Sequence, residues 1–163
     1  ADDAAACAAI YAPYVRDTAI TFETDVPSEA EMAGRIAAHG ASHGWLVLER
    51  DGEVAGYAYA YAFSPRPAYD WSCETSIYVA ADTRGGGVGR ALYGALLPLL
   101  AERGYRRALA RITLPNPASI AFHEHYGFSR SGVLRRVGWK LGAWHDVAYL
   151  QRDLADPTAP PSA

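Results

Sequence analysis

Two arginines, Arg84 and Arg90, enclose a glycine-rich segment whose composition suits the binding of an anion. The segment follows a β-branched run, Ile77-Tyr78-Val79, and precedes an apolar helical pattern that begins at Val88. Residues without side chains let backbone N–H groups approach a diphosphate closely, and the positive end of the helix dipole adds to the attraction. The segment therefore predicts a phosphorylated ligand. Its residues are Arg84, Gly85, Gly86, Gly87, Val88, Gly89 and Arg90.

Other phosphate-binding motifs fit this segment poorly. A P-loop needs a lysine and then Ser or Thr after its last glycine, but arginine and alanine follow Gly89. The dinucleotide fingerprint G-x-G-x-x-G, started at Gly85 or Gly87, puts Arg90 or Leu92 where a small residue belongs. What remains is R-x-x-G-x-G, which resembles the pyrophosphate loop of the GNAT superfamily of N-acetyltransferases and implies acetyl-CoA as cosubstrate. A flexible glycine turn without a function is the alternative.

Further motifs extend the resemblance across most of the chain. GNAT enzymes have an Asn that opens a short helix ending in a Gly-Phe pair, and Asn116, Gly127 and Phe128 fit this pattern. Several other segments are similar to the phosphinothricin N-acetyltransferase branch, which includes methionine sulfoximine and methionine sulfone acetyltransferases. They are residues 68–71, 74–79, 114–116, 122–124 and 144–147. The resemblance implies a small amino-acid-like amine as acceptor, direct transfer in a ternary complex, and a homodimer.

Acetyl transfer from a thioester to an amine needs a group that takes a proton from the ammonium form. Glu74 is the first candidate, because it lies in a strand of apolar and small residues where loss of hydration favours proton uptake. The resemblance implies the same role, through a bridging water. A carboxylate that faces solvent or pairs with an arginine is the structural alternative.

His123 is the second candidate for proton transfer. It stands where most GNAT enzymes have a tyrosine that protonates the departing thiolate, and a reference pKa of about 6.5 suits a histidine to acid or base work. Both roles stay open, as does an ordinary histidine on a helix surface. A metal site is not expected, because His123 and His125 lie two apart on a predicted helix and point in different directions.

The resemblance also assigns residues that bind the two substrates. Ile77, Tyr78 and Val79 form the strand edge that pairs with the pantetheine arm of the coenzyme, and one N–H of this edge points at the thioester carbonyl. Asn116 binds the amides of the arm. Phosphate partners are Arg84 and Arg90. The acceptor pocket takes Phe22, Arg66, Tyr69 and Tyr93, with Arg66 suited to a carboxylate or phosphinate. The alternative for each of these residues is a purely structural role: packing in the core, capping a helix or lying at the surface. Cys73 beside Glu74 is expected to pack, since no activating partner is evident.

Composition sets bounds on the class of protein. The chain has 163 residues, half of them apolar, which fits a single domain over residues 1–155 and a disordered tail over residues 156–163. The resemblance implies that this domain is an acetyltransferase domain. A net charge of −3 with scattered basic residues argues against a nucleic-acid partner. There is no membrane span or signal peptide pattern, so a cytoplasmic location is expected, and Cys7 and Cys73 are expected to be free thiols.

The elements that must position these residues follow from the apolar pattern. Helices are predicted over residues 4–14, from Ser28 to about His39 with Gly40 as the stop, from Val88 onwards with Gly104 as the stop, and from Asn116 to about His125. Strands are predicted over residues 45–50, 53–63, 73–80, 107–112, 128–135 and 145–152, the first two joined by an Asp-Gly hairpin turn. The fold class is therefore α/β, a GNAT-like three-layer α/β/α domain around a central mixed, largely antiparallel sheet.

Two rival functions remain at this stage. One is acetylation of peptide N-termini or other amines, which would favour an open groove. The other is a module that senses acetyl-CoA without turnover, in which Glu74 and His123 would be incidental. The resemblance also implies a strand ahead of the first helix, for which the sequence before Ala4 is too short. Either the chain continues upstream or the sheet lacks this edge strand.

Overall fold

The computed structural model describes residues 3–83 and 85–160, and these residues form an α/β domain. The helices are α1 (Ala4–Asp17), α2 (Glu29–Ser42), α3 (Val88–Glu102) and α4 (Pro117–His125). The strands are β1 (Trp45–Arg50), β2 (Glu53–Ala62), β3 (Ser72–Val79), β4 (Arg107–Leu114), β5 (Ser129–Lys140) and β6 (Ala143–Asp153). Two short 3₁₀ turns, Pro67–Tyr69 and Ala81–Thr83, flank β3. None of the described helices is long and apolar enough to cross a membrane.

The strands form one mixed sheet in the order β1-β2-β3-β4-β6-β5. Asp51 and Gly52 join β1 to β2 with φ values of 51° and 83°, as a tight antiparallel hairpin requires. The crossover through α3 makes β3 and β4 parallel, and every other recorded pair is antiparallel. The predicted mixed, largely antiparallel sheet is confirmed.

Helices cover both faces of the sheet, which makes the three predicted layers. Alternation along β2 shows the two faces: Tyr57 packs in a core with α1 and α2, whereas Ala58 and Ala60 pack in the larger core with α3. The small residues bring α3 close to the sheet. A Cβ atom on Gly56 would lie 2.8 Å from Cγ1 of Val88, the first residue of α3. This close contact fixes the start of α3, where the glycine-rich segment ends.

The helix ends show which sequence signals were sufficient. Ser28 and Glu31 form the predicted capping box, and the side-chain oxygen of Asn116 accepts from the N–H of Ser119 at 3.1 Å, so both predicted helix starts are confirmed. The predicted stop at Gly40 is wrong, because α2 continues to Ser42. The residue with positive φ after this helix is Gly44, at 144°, and its N–H bonds to the carbonyl of His39 at 2.9 Å.

The segment after β6 returns to the start of β4. Arg107 donates to the carbonyl of Pro157 and Arg106 to that of Pro160, each at 3.1 Å. Residues 161–163 lie outside the described residues, and disorder of the 156–163 tail stays a prediction.

Candidate active site

The sheet opens between its two parallel strands. Strands β3 and β4 pair only from Ser72 with Arg107 to Glu74 with Leu109. Beyond this point, within the described residues, β3 pairs with β2 alone and β4 with β6 alone. The gap leaves main-chain N–H and C=O groups of both strands available to a flat, amide-bearing ligand. Val79 is an exception, because its carbonyl accepts a hydrogen bond from the hydroxyl of Tyr14 at 2.7 Å. The predicted coenzyme edge lies on this stretch of β3: Ile77, Tyr78 and Val79.

The glycine-rich segment lies at the end of β3, next to the gap. Gly85 and Gly87 have φ values of 82° and 78°, and a Cβ atom on either would meet no protein atom within 4 Å. Gly87 is the N-cap of α3, so the free N–H groups of the first helical turn point out beside an open surface. Val88 is buried and anchors the turn, and Arg90 is exposed. Arg84 lies outside the described residues.

Sequence reasoning missed one cation at this turn. Arg50, at the end of β1, donates a hydrogen bond to the carbonyl oxygen of Gly86. Its guanidinium therefore lies against the proposed diphosphate cradle. No local motif indicated this contact, because it depends on the β1–β2 hairpin bringing two distant segments together.

A cavity of about 570 Å³ lies on the face of the sheet that carries α1 and α2. The alternation of β3 directs Glu74, Ser76 and Tyr78 towards it, while Thr75 packs towards α3 through a hydrogen bond to Tyr93. Strand β2 adds Tyr59 and Tyr61, β4 adds Arg111 and Thr113, and β6 adds Tyr149. The remaining wall comes from Tyr11 of α1, from Leu134 and Val137 of β5, from α2 and from the loop between α1 and α2. It includes Arg35, His39, Ile20, Thr21, Phe22 and Glu23.

The loop that carries Phe22 is held against β5. The Nζ atom of Lys140, which is buried, donates to the carbonyl of Thr21 at 2.7 Å. Phe22 fits where Gly138 has no side chain, since a Cβ atom there would lie 2.2 Å from the Phe22 ring. These contacts fix one wall of the cavity.

Glu74 is the carboxylate that the cavity shares with the strand gap. It is only 4% exposed and forms an ion pair with Nε of Arg111. Arg111 also donates to the hydroxyl of Tyr61 at 3.3 Å, and burial, with the nearby charge of Glu74, raises the pKa of Tyr61 to about 12. Glu74 is therefore paired with an arginine, which was the structural alternative considered from the sequence. Arg111 was missed, although a charged residue within the apolar strand of residues 107–114 was a signal.

His123 lies at the other side of the gap, in a buried hydrogen-bond chain. Its Nε2 atom is 2.9 Å from the hydroxyl of Tyr93, which is 2.9 Å from Oγ1 of Thr75. Its Nδ1 atom is 2.8 Å from the carbonyl oxygen of Ser119, so Nδ1 donates and Nε2 accepts from Tyr93 in the neutral ring. Burial lowers the pKa of His123, partly offset by the bond to Ser119. His123, Tyr93 and Asn116 line a small cavity of about 60 Å³ in the gap.

The structure brings together only part of the predicted acceptor set. Phe22 lines the large cavity with Glu74. Tyr93 is fully buried beneath the gap, on the opposite face of the sheet from most of that cavity. Arg66 and Tyr69 lie at the exposed 3₁₀ turn before β3 and are not part of the described cavity wall. Among the described residues, no three His, Cys, Asp or Glu side chains cluster as a metal site requires.

Buried His123 gives a testable pH dependence. Its pKa is lowered in the folded protein, so the unfolded chain takes up a proton first as the pH falls below about 6.5. We expect the free energy of unfolding to fall with pH in that range, and His123→Gln to flatten the fall by at most about 1.4 kcal/mol per pH unit. Urea unfolding at about pH 5.5 and 7.5 measures both slopes. Equal slopes would contradict the burial of a neutral ring; His39 and His43, whose pKa values burial also lowers, contribute the remainder.

The fold and the site together define a class of protein. A sheet opened between parallel strands, with a glycine turn at a helix N-terminus and a buried carboxylate beside the opening, suits transfer of an acyl group from a long, phosphorylated carrier. A family model described as "Acetyltransferase (GNAT) domain" matches residues 1–148. The chain belongs to this family. It is therefore an N-acetyltransferase that uses acetyl-CoA as cosubstrate. The glycine turn fits that coenzyme, because Gly85 and Gly87 have positive φ and leave open space in front of the turn.

Named relatives share most of the chain. It is 38% identical to "Phosphinothricin N-acetyltransferase" of Streptomyces viridochromogenes, over 98% of this chain and 87% of that protein. It is 37% identical to "L-methionine sulfoximine/L-methionine sulfone acetyltransferase" of Pseudomonas paraeruginosa, over 86% of this chain and 82% of that protein. A solved GNAT phosphinothricin acetyltransferase from Sinorhizobium meliloti, in complex with acetyl-CoA, superposes with a TM-score of 0.94 and 38% identity, covering 99% and 89% of the two chains.

Proposed function

We propose that the protein acetylates the α-amino group of a small amino acid of the phosphinothricin, methionine sulfoximine or methionine sulfone type. The observation that carries the proposal is the cavity of about 570 Å³ that meets the β3–β4 gap at Glu74. This volume suits a small molecule. The named relatives act on the same kind of acceptor.

We assign the first proton transfer to Glu74. The ammonium form of the acceptor has no lone pair, so it must lose a proton before nitrogen attacks the thioester carbon. Glu74 faces the acceptor cavity at the β3–β4 gap, where its carboxylate can accept that proton directly or through water. The nitrogen–carbon bond then forms as the carbon–sulfur bond breaks. The amine gives up a second proton, which balances the proton gained by the sulfur, and the proton held by Glu74 passes to solvent.

We assign His123 to the sulfur side of the reaction. It lines the gap and is not among the described residues that line the larger cavity, so it is poorly placed to reach the acceptor nitrogen. Both ring nitrogens have partners, and the neutral ring carries its proton on Nδ1. Nε2 must therefore first take up the second proton of the amine, relayed through the Tyr93 hydroxyl, and return a proton by the same route to the thiolate. This favours a role at the thiolate over a role at the amine.

Transfer is proposed to be direct, within a ternary complex. The thiol nearest to Glu74 is that of Cys73, which is buried on the α3 face of the sheet and donates to the carbonyl of Arg107. Burial raises the pKa of this thiol to about 12, so it is a poor nucleophile near neutral pH. An acetyl group on Cys73 would therefore be an unfavourable intermediate.

A panel of acceptors tests the proposal. The purified protein is given acetyl-CoA with phosphinothricin, methionine sulfoximine, methionine sulfone, the common amino acids and short peptides, and products are identified by mass spectrometry. We expect acetylated amino acids and no peptide product. Transfer to peptides alone would replace the proposal with N-terminal acetylation, and coenzyme binding without any transfer would replace it with a sensing module.

We infer that the protein is a homodimer. The β5–β6 hairpin exposes an apolar patch, in which Trp139 and Trp144 pack edge to face. The exposed apolar residues are Val133, Leu134, Val137, Trp139, Leu141 and Trp144. Light scattering should give twice the chain mass of 17.5 kDa, and Trp139→Lys with Trp144→Lys should return it to a single copy. A wild-type monomer would contradict this. We also propose a cytoplasmic location, because the cysteines are free thiols and the cosubstrate is acetyl-CoA. A role in resistance is proposed only because acetylation would modify acceptors of this type.

A further inference from the structure

We propose that the Glu74–Arg111 ion pair recognises the acceptor as a zwitterion, with Arg111 binding its α-carboxylate. This inference rests on the proposed function, because it starts from the ammonium group at Glu74. It makes the substrate class a free α-amino acid and sets aside simple amines, amino-acid amides and peptides.

The two members of the pair differ in exposure. The side chain of Glu74 is 5% exposed, whereas that of Arg111 is 49% exposed, and both face the cavity. The carboxylate is therefore reached from the cavity beside its partner. The guanidinium keeps a free surface that a second anion can approach. Its fork of N–H donors can serve two carboxylates at once.

The geometry of an α-amino acid matches this arrangement. Its ammonium and carboxylate groups are bonded to the same carbon atom. When the ammonium lies at Glu74, the carboxylate must therefore lie beside the group next to Glu74, and that group is Arg111. Without a cation there, a substrate carboxylate would be repelled by Glu74. An amide or a decarboxylated amine gains nothing from Arg111.

The strands hold Arg111 in this place. It is opposite Tyr149 in the β4–β6 register, just beyond the last β3–β4 pair, and its Nη2 atom donates to the hydroxyl of Tyr61 at 3.3 Å. Hydrogen bonding to Glu74 and Tyr61 raises the pKa of Arg111 against the opposing effect of burial, so its charge is permanent.

Other arginines are less suited to the α-carboxylate. Arg35, also on the cavity wall, has both terminal nitrogens on Glu23, at 2.8 and 3.3 Å. Arg66, the arginine expected from sequence to bind a carboxylate, is exposed at the turn before β3 and is absent from the described cavity wall.

The test compares L-methionine sulfone with its carboxamide and with its decarboxylated amine. Calorimetry on the protein saturated with CoA gives the affinity for each compound, and thiol release gives KM and kcat. We expect the wild type to bind the acid about 10- to 100-fold more tightly than the amide. Arg111→Gln should remove this preference by weakening the acid, and Arg111→Lys should keep part of it. Arg107→Gln is the control, since Arg107 lies on the same strand with its Nε atom paired to Asp153 at 2.8 Å.

The outcomes separate this inference from the proposed function. Equal affinity of the wild type for acid and amide, or no binding of either, overturns the inference, as does a preference that survives Arg111→Gln. Loss of the preference through Arg66→Gln in place of Arg111→Gln also overturns it. A preference that depends on Arg111 supports the inference even without acetyl transfer, and absence of transfer to every compound then counts against the proposed function alone.

Discussion

Replacement of Glu74 by Gln should lower kcat/KM for the acceptor by about 10²- to 10⁴-fold. The amide has nearly the shape of the carboxylate but cannot take the proton that the ammonium group must lose. Glu74 is 4% exposed and lies where β3 and β4 part. No other described carboxylate on the cavity wall lies at the gap, so none can replace Glu74 as the proton acceptor. The rate of thiol release from acetyl-CoA, with a saturating acceptor, measures the loss.

A matched variant controls for the removal of negative charge. Glu53→Gln changes an exposed glutamate at the start of β2 and should leave kcat/KM unchanged. The Glu74→Gln protein should keep the affinity of the wild type for CoA, because the residue is assigned to the acceptor side. Retention of full activity by Glu74→Gln would remove the carboxylate from the mechanism.

Replacement of Gly87 by Ala should weaken binding of CoA by at least about tenfold. Gly87 has a φ of 78°, which disfavours an L residue by about 1–2 kcal/mol and shifts the turn away from the geometry that directs its N–H groups outwards. A new Cβ atom meets no protein atom within 4 Å, so it would project into the open space that the diphosphate is expected to use. Calorimetric titration with CoA measures the change.

Gly52 offers a close control for this strain. It has a φ of 83°, it also has open space around a Cβ atom, and it lies in the β1–β2 hairpin turn. Gly52→Ala should reduce the free energy of unfolding by a similar amount and leave the affinity for CoA unchanged. Equal effects of both substitutions on affinity would mean that the glycine turn acts only through stability.

Local signals predicted the fold because each element carries its own pattern. The Asp51-Gly52 turn, the capping box at Ser28 and the Asn116 cap are short-range features, and all three are found where expected. The predicted stop at Gly40 was wrong because Gly40 does not adopt the positive φ typical of a glycine that caps a helix, and the first positive φ after α2 occurs at Gly44. The strand order was less accessible, since it depends on contacts between distant segments.

Placement of a candidate site residue could be predicted where it follows strand alternation, and could not where it depends on pairing between strands. Glu74 could be singled out as a carboxylate within an apolar strand. Its partner Arg111 lies 37 positions away and reaches it only through the parallel pairing of β3 with β4. Tyr93, expected in the acceptor pocket, packs instead on the α3 side, because the helical periodicity of α3 turns it towards His123. Which face of the sheet α3 covers depends on contacts between distant segments, and the local sequence does not indicate it.

A crystal structure of the complex with CoA and methionine sulfone would test the central claim most directly. We predict that the thiol sulfur lies in the gap between β3 and β4, with the acceptor nitrogen between that sulfur and the carboxylate of Glu74, within hydrogen-bond reach directly or through one water. A sulfur atom outside the gap, or an acceptor whose nitrogen faces away from Glu74, would contradict the account.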